Sequence, residues 1–205
     1  MKSKSFIGRQ KELNLLESLY LSKKFEMLIL HGRRRVGKSY LLSHFANLHS
    51  KNVVYFTGDK SSEKNNVKNF CEELNKVLAA GDFIKSFTTW NDVYSFLKNA
   101  EIKERLVLII DEFTYLYNSN PAYDSELQNA IDKILKLKNI FLILCGSEVS
   151  VIEEIIDNYS NGIDLDDNNI YLDSDGLIVS GTEYTQNTWM DAKYLGMPAT
   201  PRNGK

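Results

Sequence analysis

The sequence predicts an α/β domain, with a parallel sheet sandwiched between two helical layers. Three observations carry that expectation. Four short apolar runs lack polar alternation, at residues 27–31, 53–56, 106–110 and 141–144, and so read as strands buried on both faces. Segments with helical spacing lie between them, as strand–crossover–strand units require. A glycine-containing turn from Gly32 to Ser39 joins the first run to a helical segment.

Each element follows in order. Residues 9–20 set Leu13, Leu16 and Tyr20 on one helical face, with Lys11, Asn14 and Ser18 off it. Residues 27–31 form a strand that stops at Gly32, and residues 38–48 a helix. The strand at 53–56 is closed by Thr57 and Gly58. Residues 65–79 repeat Val67, Phe70, Cys71, Leu74 and Leu78 at helical intervals, and residues 90–100 do so with Val93, Phe96 and Leu97. The strand at 106–110 has charge on both sides. Residues 125–137 turn Leu127, Ile131, Ile134 and Leu135 inward, and the strand at 141–144 precedes Gly146. Beyond it, a helix end over 155–163 stops at Gly162, and residues 169–181 read as a hairpin turning at Asp175-Gly176.

Of the 205 residues, 43% are hydrophobic and 25% charged, which excludes a disordered chain, a fibre and a disulfide scaffold. No apolar run approaches the roughly 20 residues of a membrane-spanning helix, so no membrane partner is expected. Cys71 and Cys145 share no paired motif and read as reduced thiols of a cytoplasmic protein. Residues 1–155 carry 19 acidic and 22 basic side chains, whereas residues 156–205 carry 8 and 3. That shift places a boundary near residue 150. It separates the α/β domain over 1–150 from a short, irregular appendage over 151–205.

Gly32-Arg33-Arg34-Arg35-Val36-Gly37-Lys38-Ser39 fits G-x-x-x-x-G-K-[ST] at every fixed position. The glycines let the backbone approach phosphate oxygens. Successive amides at a helix N-terminus, here through Tyr40, form an anion nest. Lys38 is expected at the β and γ phosphates and Ser39 on Mg²⁺. The three arginines fit solvation, pairing with a protein partner, or nucleic acid, and a basic triplet alone does not select nucleic acid.

The strand at 106–110 ends in Asp111-Glu112. Parallel strands deliver their C-terminal ends to the ligand crevice. Asp111 is therefore expected in the Mg²⁺ shell, and Glu112 as the group that activates water. Ser147 follows the last strand and is expected near the γ phosphate. The absence of an N-K-x-D base-reading motif favours ATP over GTP. His31 is expected to pack rather than to act chemically, and Tyr115 and Tyr117 to lie on the surface or at an interface.

Together these pieces resemble the archaeal-type ATPases of the STAND/AAA-like P-loop division. Phe6-Ile7-Gly8-Arg9-Gln10-Lys11-Glu12-Leu13 resembles their nucleotide-base box, which implies that Gly8 and Arg9 contact the cofactor. Gly32–Ser39 resembles their Walker A, Asp111-Glu112-Phe113 their Walker B, and Cys145-Gly146-Ser147 their sensor strand. The resemblance implies a three-layer P-loop core with sheet order 5-1-4-3-2. It also implies Mg²⁺ and ATP as cofactors, and slow, switch-like hydrolysis. No fifth strand in that register is visible, so the edge beside residues 27–31 is expected to stay open to another chain. Without a lid, a nucleotide-gated binding module lacking turnover is the alternative.

The stretch over 155–205, with Trp189-Met190-Asp191-Ala192 its sharpest element, is similar to the glucosidase part of glycogen-debranching enzymes. That resemblance implies Asp191 as a general acid. Inverting hydrolysis requires a second carboxylate roughly 6.5–9.5 Å away. Glu183 is too near in sequence to serve, so glycosidase activity is not expected. Two resemblances meeting near residue 150 read as a hybrid chain.

Overall fold

The apolar runs become strands because both of their faces are covered. In the computed structural model, which describes residues 9–32, 34–147, 162–164 and 169–171, β1 (Glu26–His31), β3 (Leu106–Asp111) and β4 (Ile140–Cys145) are buried at all six positions. β2 (Val53–Thr57) lies at one edge of the sheet. The order is β2-β3-β4-β1-β5-β6, where β5 is Gly162–Asp164 and β6 is Asn169–Tyr171. Strands β1 to β5 run parallel and β6 returns antiparallel. The order of the parallel strands is the 5-1-4-3-2 arrangement expected above.

Strand parity sorts the core into two layers. Leu28, Leu30, Ile109, Phe141 and Ile143 face α1 (Gln10–Leu21) and α2 (Lys38–Leu48), and pack with Leu16, Leu41, Leu42 and Phe45. On the other face Ile29, Val54, Leu108 and Leu142 meet α3 (Glu63–Leu78), α4 (Trp90–Asn99) and α6 (Tyr123–Lys133). Val67, Phe70, Trp90, Val93, Leu127 and Ile131 fill that layer. Each such side chain contributes about 1.5–3 kcal/mol by burial.

Local chemistry sets the helix ends. Ser62 caps α3 by accepting the Asn65 amide at 3.4 Å, so the helix starts earlier than the apolar spacing indicates. Thr89 and Asp92 form a reciprocal capping box on α4. A short helix, α5 (Thr114–Ser119), follows β3 without any sequence expectation, being only six residues long.

One expectation is corrected beside β1, that its edge stays open. Gly162 opens β5, and the helix end expected to stop there falls on residues outside the described ones. Ile163 pairs with Leu30, so β1 is an interior strand and its edge is not open. β6 pairs back onto β5, Ile170 opposite Ile163, and the turn expected at Asp175-Gly176 lies outside the described residues.

Candidate functional site

The loop after β1 folds through three left-handed backbone positions: Gly32 at φ 136°, Arg35 at 73° and Gly37 at 95°. A Cβ on Gly37 would meet nothing within 4 Å, so glycine is required there by conformation and not by space. Gly37 precedes α2 with no side-chain cap. The first amides of an α-helix lack intrahelical acceptors, and here they open toward the loop. That is an anion-binding arrangement, strengthened by the helix dipole.

Lys38 is buried, and its Nζ donates to the Gly32 carbonyl at 2.5 Å, folding the side chain across the loop it belongs to. Ser39 and Tyr40 are exposed in the first turn of α2, Arg34 and Arg35 are exposed, and Val36 is half-buried. Arg9, itself at φ 59°, donates to the Val36 carbonyl at 3.1 Å and pairs with Glu12 at 3.1 Å. Those bonds buttress the loop from outside. Gly8 and Arg33 lie outside the described residues.

The acidic pair sits at the same end of the sheet. Asp111 is the last residue of β3 and is 4% exposed. Its Oδ2 accepts the Tyr55 hydroxyl at 2.8 Å and its Oδ1 the Glu112 amide at 3.0 Å. Glu112 is half-buried and adopts φ 54°, which turns the chain sharply out of the strand. The Phe113 amide then donates to the Cys145 carbonyl at 3.0 Å and anchors that turn on β4. Cys145 stands directly opposite Asp111. Burial, then the Asp111 carboxylate, push its thiol well above the usual range, while Lys38 opposes the shift. Burial and Asp111 likewise raise the Tyr55 phenol. Both groups therefore stay neutral at physiological pH, and Asp111 faces donors rather than competing anions. Ser147 is half-buried just past β4, and the Gly146 amide continues the ladder to the Leu30 carbonyl at 3.1 Å.

This donor set suits a polyphosphate with a small hard cation. Mg²⁺ is usually held by one or two carboxylates plus phosphate oxygens, without a dedicated cage of side chains. Asp111 and the Ser39 hydroxyl fit that requirement, and no cluster of three or more His, Cys, Asp and Glu side chains capable of holding a metal occurs among the described residues. No helix among them is long and apolar enough to cross a membrane. His31 is packed at the end of β1. Asp191, Glu183 and Trp189 lie outside the described residues.

Two tyrosines join the site without any motif to mark them. Tyr55 reaches Asp111 from β2. Tyr115, on α5, accepts from Arg34 at 3.4 Å and lies under the Lys60 ammonium at 5.6 Å. Only the parallel register and the turn after β3 bring them there, so strand parity was the one signal available, and it required knowing the strand order.

Comparisons with known proteins agree with this geometry. The family described as "ATPase domain predominantly from Archaea" matches residues 6–177, a span that takes in β5 and β6. An uncharacterized protein of Methanocaldococcus jannaschii is 30% identical over 156 residues, covering 76% of this chain and 33% of its own length. Among solved structures, the Aeropyrum pernix ORC2 protein superimposes with a TM-score of 0.54 at 15% identity, over 74% of this chain and 43% of that one. CDC6P from Pyrobaculum aerophilum does so with a TM-score of 0.54 at 16% identity, over 79% and 46%. The chain thus spans one third of the length of the curated relative and less than half of each of these structures.

Proposed function

Because this chain belongs to the family of ATPase domains found predominantly in Archaea, we propose that it binds Mg²⁺·ATP at the C-terminal end of its sheet and hydrolyses it slowly, as a switch. The observation that carries the reading is the meeting of three features at one sheet end: the open amides of α2, the buried Lys38 and the Asp111-Glu112 pair. The structurally similar Aeropyrum pernix ORC2 protein was solved as ADPNP–ADP complexes, which supports adenine nucleotide as the ligand.

The roles follow from placement. The loop amides and Lys38 receive the phosphates, with the ammonium exchanging the Gly32 carbonyl for phosphate oxygen. Ser39 and Asp111 hold Mg²⁺, which when bound neutralises charge on the β and γ phosphates. Glu112 orients a water and accepts its proton. Ser147 faces the γ phosphate from the end of β4. Arg9 keeps the loop closed through the Val36 carbonyl. The buried, unpaired thiols Cys71 and Cys145 favour a reducing, cytoplasmic setting.

Thermal unfolding with and without Mg²⁺·ATP tests the site. Ligand at 100 times its Kd adds about 2.7 kcal/mol to stability. The wild type is expected to shift and Lys38→Ala to shift much less at the same ligand concentration, and a wild type that does not shift overturns the reading. Phosphate release tests turnover. Glu112→Gln should abolish release while retaining binding. A wild type that binds but releases no phosphate is a nucleotide-gated module instead.

A further inference from the structure

The register of the sheet brings to the metal-binding end a side chain that belongs to no motif. β2 and β3 run in parallel with Thr57 opposite Asp111 and Tyr55 opposite Ile109. Side chains two apart on a strand share a face, so Tyr55 and Asp111 lie together on the face covered by α1 and α2. The Tyr55 ring packs partly buried against that layer, and its hydroxyl extends along the strand direction to Asp111 Oδ2, 2.8 Å away. The other oxygen, Oδ1, is held by the Glu112 amide at 3.0 Å.

The two bonds do different work. The Glu112 amide is part of the turn and comes with the backbone. It constrains one oxygen, and the terminal torsion of a carboxylate is broad and roughly two-fold. The second donor, arriving from another strand, sets the plane of the group. An ionised carboxylate has about four acceptor positions, so the Tyr55, Glu112 and facing Cys145 donors leave room for a cation or its water. Asp111 is buried, so solvent does not replace either bond readily.

We infer that Tyr55 is a positioning residue that holds the Asp111 carboxylate in its metal-receiving orientation through the hydrogen bond from β2 to β3. The inference rests on reading Asp111 as the Mg²⁺ ligand. Partners that orient a metal ligand typically account for about 10–100-fold in metal affinity. The hydroxyl acts through Asp111, so its removal should weaken the metal-dependent part of nucleotide binding and spare the rest.

The full chain and its Tyr55→Phe and Asp111→Asn variants are titrated with a fluorescent, non-hydrolysable ATP analogue, in EDTA and across a Mg²⁺ series. Tyr55→Phe is expected to match the wild type in EDTA and to need roughly 10-fold more Mg²⁺ for half of the metal-dependent gain in affinity. Asp111→Asn is expected to lose that gain. If Tyr55→Phe keeps the wild-type Mg²⁺ midpoint while Asp111→Asn loses the gain, Tyr55 has no positioning role and the reading of Asp111 stands. If the gain survives Asp111→Asn, both fall. An equal loss of affinity with and without Mg²⁺ in Tyr55→Phe signifies a loosened sheet edge and also overturns the inference.

Discussion

Arg105 lies where β3 begins and Lys38 where the loop after β1 enters α2, so among the described residues a cation is buried at each end of the sheet. At the first end Arg105 is consumed by the fold. It donates to the Leu19 carbonyl at 2.8 Å, to the Asn139 side chain at 2.9 Å and to the Lys24 carbonyl, and it lies over the Phe141 ring. Burial lowers its pKa and nearby Glu26 counteracts that. At the other end Lys38 touches the carbonyl of its own loop, beside helix amides that have no intrahelical acceptor. A buried cation is a latch where rigid carbonyls from several segments surround it. It is a ligand-binding group where its neighbours are donors awaiting an anion.

Substituting each end separately tests that contrast. The largest stability effect is expected from Arg105→Met, which leaves several buried acceptors without a donor at about 1–3 kcal/mol each. Chemical denaturation should show a loss of roughly 3 kcal/mol, with the nucleotide Kd of the folded fraction unchanged. A changed Kd would mean the two ends are coupled. Lys38→Ala should do the reverse: unfolding without ligand moves little, and nucleotide affinity falls by roughly 10–100-fold, the worth of a charge-assisted hydrogen bond.

Gly37→Ala comes next. The added methyl has room, so its cost is the left-handed conformation alone, about 1–2 kcal/mol. Because that strain sits in the phosphate loop, nucleotide affinity should suffer more than stability does, and equal losses would argue against a preformed loop. The smallest effect concerns the α4 cap, remote from the site. The Thr88 amide and the Thr89 hydroxyl and amide hold the Asp92 carboxyl below its ordinary pKa of 3.8. A depressed carboxyl stabilises the fold above its ordinary pKa, and that contribution fades as pH falls through the lower folded value. The stability gap between wild type and Asp92→Asn should therefore be full at neutral pH and close below about pH 4. A gap that persists at lower pH would assign the cap to packing instead of charge.

The loop over Gly32–Ser39 was legible because its chemistry is local. Amides, glycines, lysine and serine must follow one another within eight positions, and the flanking strand and helix show their own periodicities. Asp111 was legible for a related reason, since it ends an apolar run whose C-terminal end must face the crevice. β5 was not. Three residues opened by a glycine have no periodicity to detect, and Gly162–Asp164 becomes a strand only because the edge of β1 offers it hydrogen-bond partners. α5 is similarly short, and its first turn is set by Phe113 bonding across to β4.

The sequence by itself determined the class of fold, the phosphate loop and the carboxylate opposite it, because each is written in neighbouring residues whose spacing matches one backbone period. Tertiary structure alone decided which strand closes the edge of β1, that Arg105 is spent as a latch, and that Tyr55 reaches Asp111. These depend on residues tens of positions apart meeting in a particular register, and nothing in the local pattern of either partner encodes where the other will stand.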